Sequence, residues 1–300
     1  MQNSSSHKIN GDYPLSALSK IKWLVFNARD NLKRVRGGLN IRKFPLEVNH
    51  ETLSMLNKSD SPSRNLCNLF WSQLRFHELL GIEKDKTFNL LEVGCGSGRY
   101  QKILESYGNV FNYKGIDPVY SDNWEKVSSE SSIQFFCDTS DNVNLYLTDI
   151  DVVITQSSLE HIESDLSFFH KLKNFTEVSG KTLVSINLVP SPANLLLAPW
   201  HGIRQYGAHT INDFIEIVGE KTESRIYLLG GRSSTGLQFK ELTLKSIFGK
   251  PSGTKSEGYI IKMFEALKRD SRNSQKINIF NATFIAFIFI FNPREELSLA

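Results

Sequence analysis

The stretch from Asn89 to Arg99, Asn-Leu-Leu-Glu-Val-Gly-Cys-Gly-Ser-Gly-Arg, constrains the fold more than any other part of the chain. An apolar run (Leu90, Leu91, Val93) leads straight into Gly94, Gly96 and Gly98, and an amphipathic segment starts at Arg99. That pattern predicts a strand, a turn too tight for side chains, and a helix whose N-terminus points at whatever sits on the turn. Glycine suits such a turn because a Cβ would keep a ligand off the backbone, and because it takes positive φ without penalty. The turn is built to hold a small molecule against bare main chain.

Spacing narrows the choice of molecule. The dinucleotide fingerprint G-x-G-x-x-G would place its third glycine at position 99, which is Arg. That speaks against a nicotinamide-dependent oxidoreductase. The segments that follow alternate apolar runs with acids. Tyr113 to Asp117, before Pro118, predicts a second strand, and Asp117 follows Gly98 by 19 residues. A carboxylate there can accept hydrogen bonds from both hydroxyls of a ribose. Ile133 to Cys137 predicts a third strand, followed by Asp138 and Thr139, and Ile150 to Thr155 a fourth, followed by Gln156 and, further on, Glu160-His161. A helical stretch from Asp165 to Val178 stops at Gly180, and Lys181 to Asn187 supplies a fifth strand.

The Glu92-x-Gly94-x-Gly96-x-Gly98 loop, with these segments in this order over about residues 88 to 190, closely resembles the class I S-adenosylmethionine-dependent methyltransferases. The resemblance implies an α/β chain with a Rossmann-like, doubly wound sheet of seven strands, mostly parallel with an antiparallel last strand. It implies S-adenosylmethionine as cofactor. Gly94, Cys95, Gly96 and Gly98 would form the donor loop, and Glu92 would orient the donor's ammonium end. Asp117 and Pro118 would meet the ribose, Asp138 and Thr139 the adenine, and Gln156 would lie beside the sulfonium. Cys95 is expected only as a small loop residue.

Composition fits one generous core: 300 residues are 40% apolar. Cys67, Cys95 and Cys137 form no CxxC pair, so neither a disulfide framework nor a zinc pattern is present. The longest apolar run, Phe284 to Phe291, is eight residues, against roughly 18 needed to span a bilayer as a helix. Its β-branched and aromatic content predicts a doubly buried strand. The first residues lack the charged-then-apolar profile of a secretion signal, and a cytoplasmic location is expected.

Charge is uneven. Residues 1 to 43 hold nine lysines and arginines against Asp12 and Asp30, a local +7 within a total of +3. This segment also carries Ile21, Trp23, Leu24, Val25 and Phe26. Two readings stand: a solvated helix packed by its apolar stripe onto the main domain, or peripheral contact with an anionic membrane through basic residues 20–43. No aromatic-basic interleaving continues along the chain, so no nucleic-acid partner is expected.

The expected organisation is a basic N-terminal segment, 1–64, with residues 1 to 12 disordered and a helix from 16 to 35 stopping at Gly37-Gly38. The methyltransferase domain, 65–300, would open with a helix through Leu66, Leu69, Phe70, Leu74 and Leu79 up to Gly81. The end of the sheet would be a helix at Ile211–Val218, a sixth strand at Ile226–Leu229 and a seventh at Phe284–Phe291. Acceptor-side insertions are expected at about 190–210 and 231–280; a connection this long within a compact domain has structure or function of its own.

Methyl transfer from a sulfonium is an in-line displacement that asks the protein to align two reactants and, for a hydroxyl acceptor, to remove one proton. His161, His201 and His209 are the candidate catalytic bases. Trp200, Arg204 and Tyr206 offer a flat apolar face, a fork of donors and a phenol, a mix that suits a sugar or phosphosugar. No carboxylate cluster accompanies the histidines, and no metal is expected. The segment from Pro199 to His209, with Leu228 to Arg232, resembles methyltransferases of bacterial surface-polysaccharide biosynthesis. The expected acceptor is a glycan or glycolipid precursor, with a small aromatic or isoprenoid metabolite second. A non-catalytic methyltransferase-fold scaffold subunit is the rival from another class. Oligomeric state is not legible.

Overall fold

The computed structural model describes residues 9–33, 35, 38–128, 132–250, 252–256 and 258–292. The expected disorder of residues 1–8, the stop at Gly37 and the cations Lys8, Arg34 and Arg36 lie outside these residues.

Eight strands make one sheet: β1 (Ile41–Lys43), β2 (Phe88–Val93), β3 (Val110–Asp117), β4 (Ile133–Cys137), β5 (Val152–Gln156), β6 (Leu183–Pro190), β7 (Thr222–Leu229) and β8 (Phe284–Phe291). Their order is β1-β7-β8-β6-β5-β2-β3-β4. All pairs are parallel except those of β8, which runs antiparallel to β6 and β7. The expected antiparallel final strand is present, and all eight of its residues are buried, as its unbroken apolar run requires. The expected count of seven is corrected to eight. Ile41–Lys43 adds a parallel strand, Ile41 opposite Ile226 and Lys43 opposite Leu228. Three residues are too few to show a period-two pattern, which is why a basic stretch concealed it.

The chain divides into two compact units. One comprises Leu74–Val189, Ile211–Arg225 and Phe287–Ala300 and contains the glycine-rich turn. Its helix Asp165–Ser179 ends at Gly180 in the left-handed conformation, close to the expected stop. An aromatic cluster of Phe168, Phe169, Phe214, Phe287 and Phe289 fills part of its core, with Phe169 at 4.6 Å from Phe214 and 5.4 Å from Phe289, centroid to centroid.

The other unit comprises Met1–Gln73, Pro190–Thr210 and Ile226–Ala286, so the N-terminal segment shares one body with both expected insertions. Its helix Ala17–Leu32 is capped by Ser16, whose side chain accepts from Ser19 N–H. The helix at Pro62–Gln73 stops eight residues short of Gly81; a separate short helix, Phe76–Leu80, precedes that glycine. The described part of the second insertion is mainly helical: Arg232–Gln238, a π-helical turn at Phe239–Leu244, and Tyr259–Arg272. Asp270 anchors it by accepting from Ser233 N–H, Ser234 N–H and Ser234 Oγ.

Candidate functional site

The site grows out of the end of β2. Gly94 N–H and Cys95 N–H both donate to Ile116 O on β3, at 2.8 and 3.2 Å, so the turn is pinned to the neighbouring strand. Gly94 has φ +78°, and a Cβ there would come 2.2 Å from Ser158 Cβ. Gly98, φ +75°, would push a Cβ to 2.6 Å from the Phe135 ring. Nothing lies within 4 Å of the place where a Gly96 Cβ would sit, so the middle of the turn presents bare backbone. The helix expected from Arg99 starts two residues later, at Gln101, because Gly98 N–H and Gln101 N–H close two tight turns first.

The acids at the strand ends are already engaged by backbone. Asp117, at the end of β3, accepts from Gly96 N–H and Val119 N–H, each at 2.9 Å through a different oxygen. It therefore orients the turn and keeps a second lone pair on each oxygen for a ligand. Asp138 N–H donates to Asp117 O, which ties the two strand ends together. Asp138 accepts from Tyr146 OH at 2.7 Å, Asn142 Nδ2 at 2.8 Å and its neighbour Thr139 N–H. The Tyr146 hydrogen bond, followed by the other two, holds the Asp138 carboxyl below the usual carboxylate range, and the Tyr146 phenol is pushed up to about 12 by burial and by Asp138.

Between these elements lies a cavity of about 440 Å³, lined by Val93, Gly94, Ile116, Asp117, Pro118 and Asp138 to Asp141 on one side and by Ser157, Ser158 and His161 to Glu163 on the other. Six of the residues expected around the donor and acceptor are on this wall: Gly94, Asp117, Pro118, Asp138, Thr139 and His161. Cys95, Gly96, Gly98, Gln156 and Glu92 are not among the lining residues. Gln156 is buried at the end of β5 and donates to Ser157 Oγ.

Glu92 sits behind the wall, 1% exposed, accepting a short hydrogen bond from Tyr113 OH. Burial pushes its carboxyl up to about 8, and the nearby Asp117 charge adds to that, against the lowering effect of Tyr113. The acid is buried, as expected, and it stands behind the cavity wall rather than on it. Burial, followed by the charges of Glu92 and Asp117, also pushes the Cys95 thiol up, which leaves it without thiolate character at neutral pH and fits its expected place as a small loop residue.

Several parts had no sequence signal of their own. Trp124 Nε1 donates to Gly96 O at 2.7 Å while its ring stacks on Phe135 at 5.3 Å, and Asn123 Nδ2 donates to Ser97 O at 2.8 Å. Together they clamp the turn from a helix, Asn123–Val127, that the sequence does not announce. Ser157 holds φ +50°, costly for a residue with a Cβ, and its N–H donates to Leu188 O. Ser158 Oγ donates to Val93 O at 2.6 Å. The Ser157-Ser158 pair directly after β5 was the one clue available.

The remaining candidates belong to the other unit. Trp200 has φ +62°, donates from Nε1 to Lys20 O, and carries the Lys20 ammonium 4.9 Å from its ring centroid. His201 Nδ1 lies 3.2 Å from Asp12 Oδ1. The charge of Arg204 helps to lower the Asp30 carboxyl, after Lys33 and Thr210. His209 sits in the first turn of the helix Ala208–Val218. Tyr206 is fully buried, so the phenol expected to meet an acceptor lies away from the surface in this structure.

A family profile described as a methyltransferase domain matches residues 62–215. Solved structures similar to the chain include the plantazolicin methyltransferase BamL in complex with a triazolic desmethylPZN analog and SAH, 14% identical, covering 76% of this chain and 85% of that one at a TM-score of 0.47. Another is a SAM-dependent methyltransferase from Archaeoglobus fulgidus, 17% identical, covering 81% and 100% at a TM-score of 0.45. No curated protein sequence matches the chain.

Proposed function

The chain belongs to the methyltransferase-domain family of class I S-adenosylmethionine-dependent enzymes, and from that premise we propose that it methylates a hydroxyl of a sugar or of a glycan or glycolipid precursor. S-adenosylmethionine is the methyl donor. The residues present suit that molecule. A cavity of about 440 Å³ falls in the range of small-ligand sites, Gly94 lies on its wall, and Asp117 enters it with acceptor capacity to spare. Asp117 and Pro118 would hold the ribose and Asp138 and Thr139 the adenine edge, with Gly94 and Gly96 giving close approach to main chain. When bound, the donor supplies a methyl group made electrophilic by a positively charged sulfur.

The chain's own residues do the rest. His161 is on the wall of the same cavity, next to Ser158, whose carbonyl accepts from His161 N–H at 3.0 Å. An imidazole nitrogen there takes the proton of an acceptor hydroxyl as the oxygen becomes a nucleophile. Ser140, Ser157 and Glu163 supply hydroxyl and carboxylate partners for the other hydroxyls of a sugar. The single observation that carries the proposal is this placement of His161 and a polar wall in the cavity that also contains Asp117. Trp200, His201, Arg204 and His209 carry no step in it.

The test is calorimetric titration with S-adenosylhomocysteine, followed by labelled-methyl transfer to a panel of sugar nucleotides, lipid-linked glycans, phenols and prenyl alcohols. Asp117→Ala should weaken binding at least about tenfold, the loss of a charge-assisted pairing. His161→Gln should leave binding in place and lower turnover by roughly 10²- to 10⁴-fold. Transfer only to phenols or prenyl alcohols would replace the sugar reading with the aromatic or isoprenoid one. No binding by the wild-type chain would favour the scaffold subunit.

A further inference from the structure

The helix Ala17–Leu32 is inside out. Its buried face is built on hydrogen-bonding side chains: Trp23, Asn27 and Asn31 follow one another at four-residue spacing and are all buried. Trp23 Nε1 donates to Gly202 O at 3.0 Å, Asn27 Oδ1 accepts from Gln205 N–H at 2.7 Å, and Asp30 Oδ2 accepts from Thr210 Oγ1 at 2.9 Å. The opposite face is apolar. Leu18, Ile21, Val25 and Leu32, at spacings of three, four and seven, are between 58% and 72% exposed. At 100° per residue they form one stripe, and Lys22, Arg29 and Lys33 run along one edge of it. Leu196, also exposed, lies on the short helix Asn194–Leu197, which packs beside this one.

We propose that this face docks the protein on an anionic lipid bilayer, with Leu18, Ile21, Val25 and Leu32 entering the headgroup boundary and Lys22 and Arg29 meeting lipid phosphates. Charge selects this occupant. The one acid in the helix, Asp30, faces the protein and is engaged by Thr210 and Lys33, so the stripe is edged by cations alone. A second copy meeting the face in antiparallel fashion about a two-fold axis would set those cations against themselves. A membrane rich in anionic lipid matches both the apolar stripe and its basic edge. Because the polar side chains already hold the helix in place, docking carries no cost of ordering it. The surface is narrower than basic residues 20–43: Ile41–Lys43 are committed to the sheet, and Lys43 Nζ donates to Asp270 O.

The test is cosedimentation of the full chain with vesicles of phosphatidylcholine alone and with about 30% phosphatidylserine, the anionic component that recruits basic segments. The wild-type chain should partition onto the anionic vesicles and lose that partition at high salt. Ile21→Ser with Val25→Ser should lower it by at least about tenfold, since both side chains lose their apolar burial in lipid. Lys22→Ser with Arg29→Ser should lower it by roughly fivefold per cation, on anionic vesicles only. Titration with S-adenosylhomocysteine verifies that each variant is folded. Wild-type chain that stays in the supernatant, or variants that bind like wild type, would overturn the proposal. So would a dimer in sedimentation velocity that Ile21→Ser with Val25→Ser dissolves, since the stripe would then face protein.

Discussion

The glycine turn after β2 and the helix Ala17–Leu32 both depend on polar groups, and they deploy them in opposite directions. In the turn, backbone polar groups are brought to the surface of a cavity, and the bonds that arrange them are local in sequence: Gly96 N–H to Asp117 spans 21 residues and Gly94 N–H to Ile116 O spans 22. In the helix, side-chain polar groups are turned inward to bonds made across great chain distance: Trp23 to Gly202 spans 179 residues and Asn27 to Gln205 spans 178. The first arrangement holds a turn at the wall of a cavity. The second secures an element and leaves its apolar side outward. A polar residue's direction is set by where its partner is, and a partner far along the chain can invert an amphipathic helix.

The largest effect that could break this contrast is on stability. Trp23→Ala removes a fully buried indole and its hydrogen bond, and should lower unfolding free energy by about 3–5 kcal/mol in urea titration, with donor affinity retained in the folded fraction. Loss of donor binding in folded Trp23→Ala would show that the helix serves the ligand as well. Gly94→Ala should do the reverse. Its Cβ meets Ser158 at a positive φ, and S-adenosylhomocysteine affinity should fall on the order of a hundredfold by calorimetry.

Glu92 sharpens the picture of what supports the turn. Its carboxyl keeps its proton up to about pH 8 when folded and releases it near 4.5 when unfolded. Between those values the folded chain binds the extra proton, so stability falls as pH rises through the window. Glu92→Gln removes that slope; its advantage over wild type should be small near pH 4.5 and reach roughly 4 kcal/mol at pH 8. The smallest effect concerns β4. Asp138→Asn removes the charge beside Tyr146, and ultraviolet titration should find the phenol moved from about 12 back toward its ordinary value.

The same distinction decides what the sequence discloses. β8 is legible because eight apolar residues in a row can only be buried on both faces. The glycine-rich turn is legible because three glycines and an acid carry their own geometry. Asp117, Asp138 and His161 are found by counting along strands, and they reach the cavity wall. Glu92 is identified as a buried acid, but its partner Tyr113, which lies across a strand pair and holds it behind the cavity wall, is not announced by the sequence. Tyr206 looks like a ligand contact in a polar loop, and burial of that loop's ring depends on the fold of a unit assembled from three separate chain segments. Ile41–Lys43 becomes a strand only because β7 is beside it.

Trp124 gives the turn an optical voice. Its indole N–H is bonded to the carbonyl of Gly96, the residue with open space before it, and its ring lies flat on Phe135, which also crowds Gly98. Any occupant that draws Gly96 toward itself must alter the hydrogen bond on which that indole's emission depends. Of the four tryptophans, Trp23 and Trp71 are sealed in the core of the other unit and Trp200 sits under the Lys20 ammonium there. The chain thus carries, without labelling, a fluorophore wired to the backbone of its glycine-rich turn.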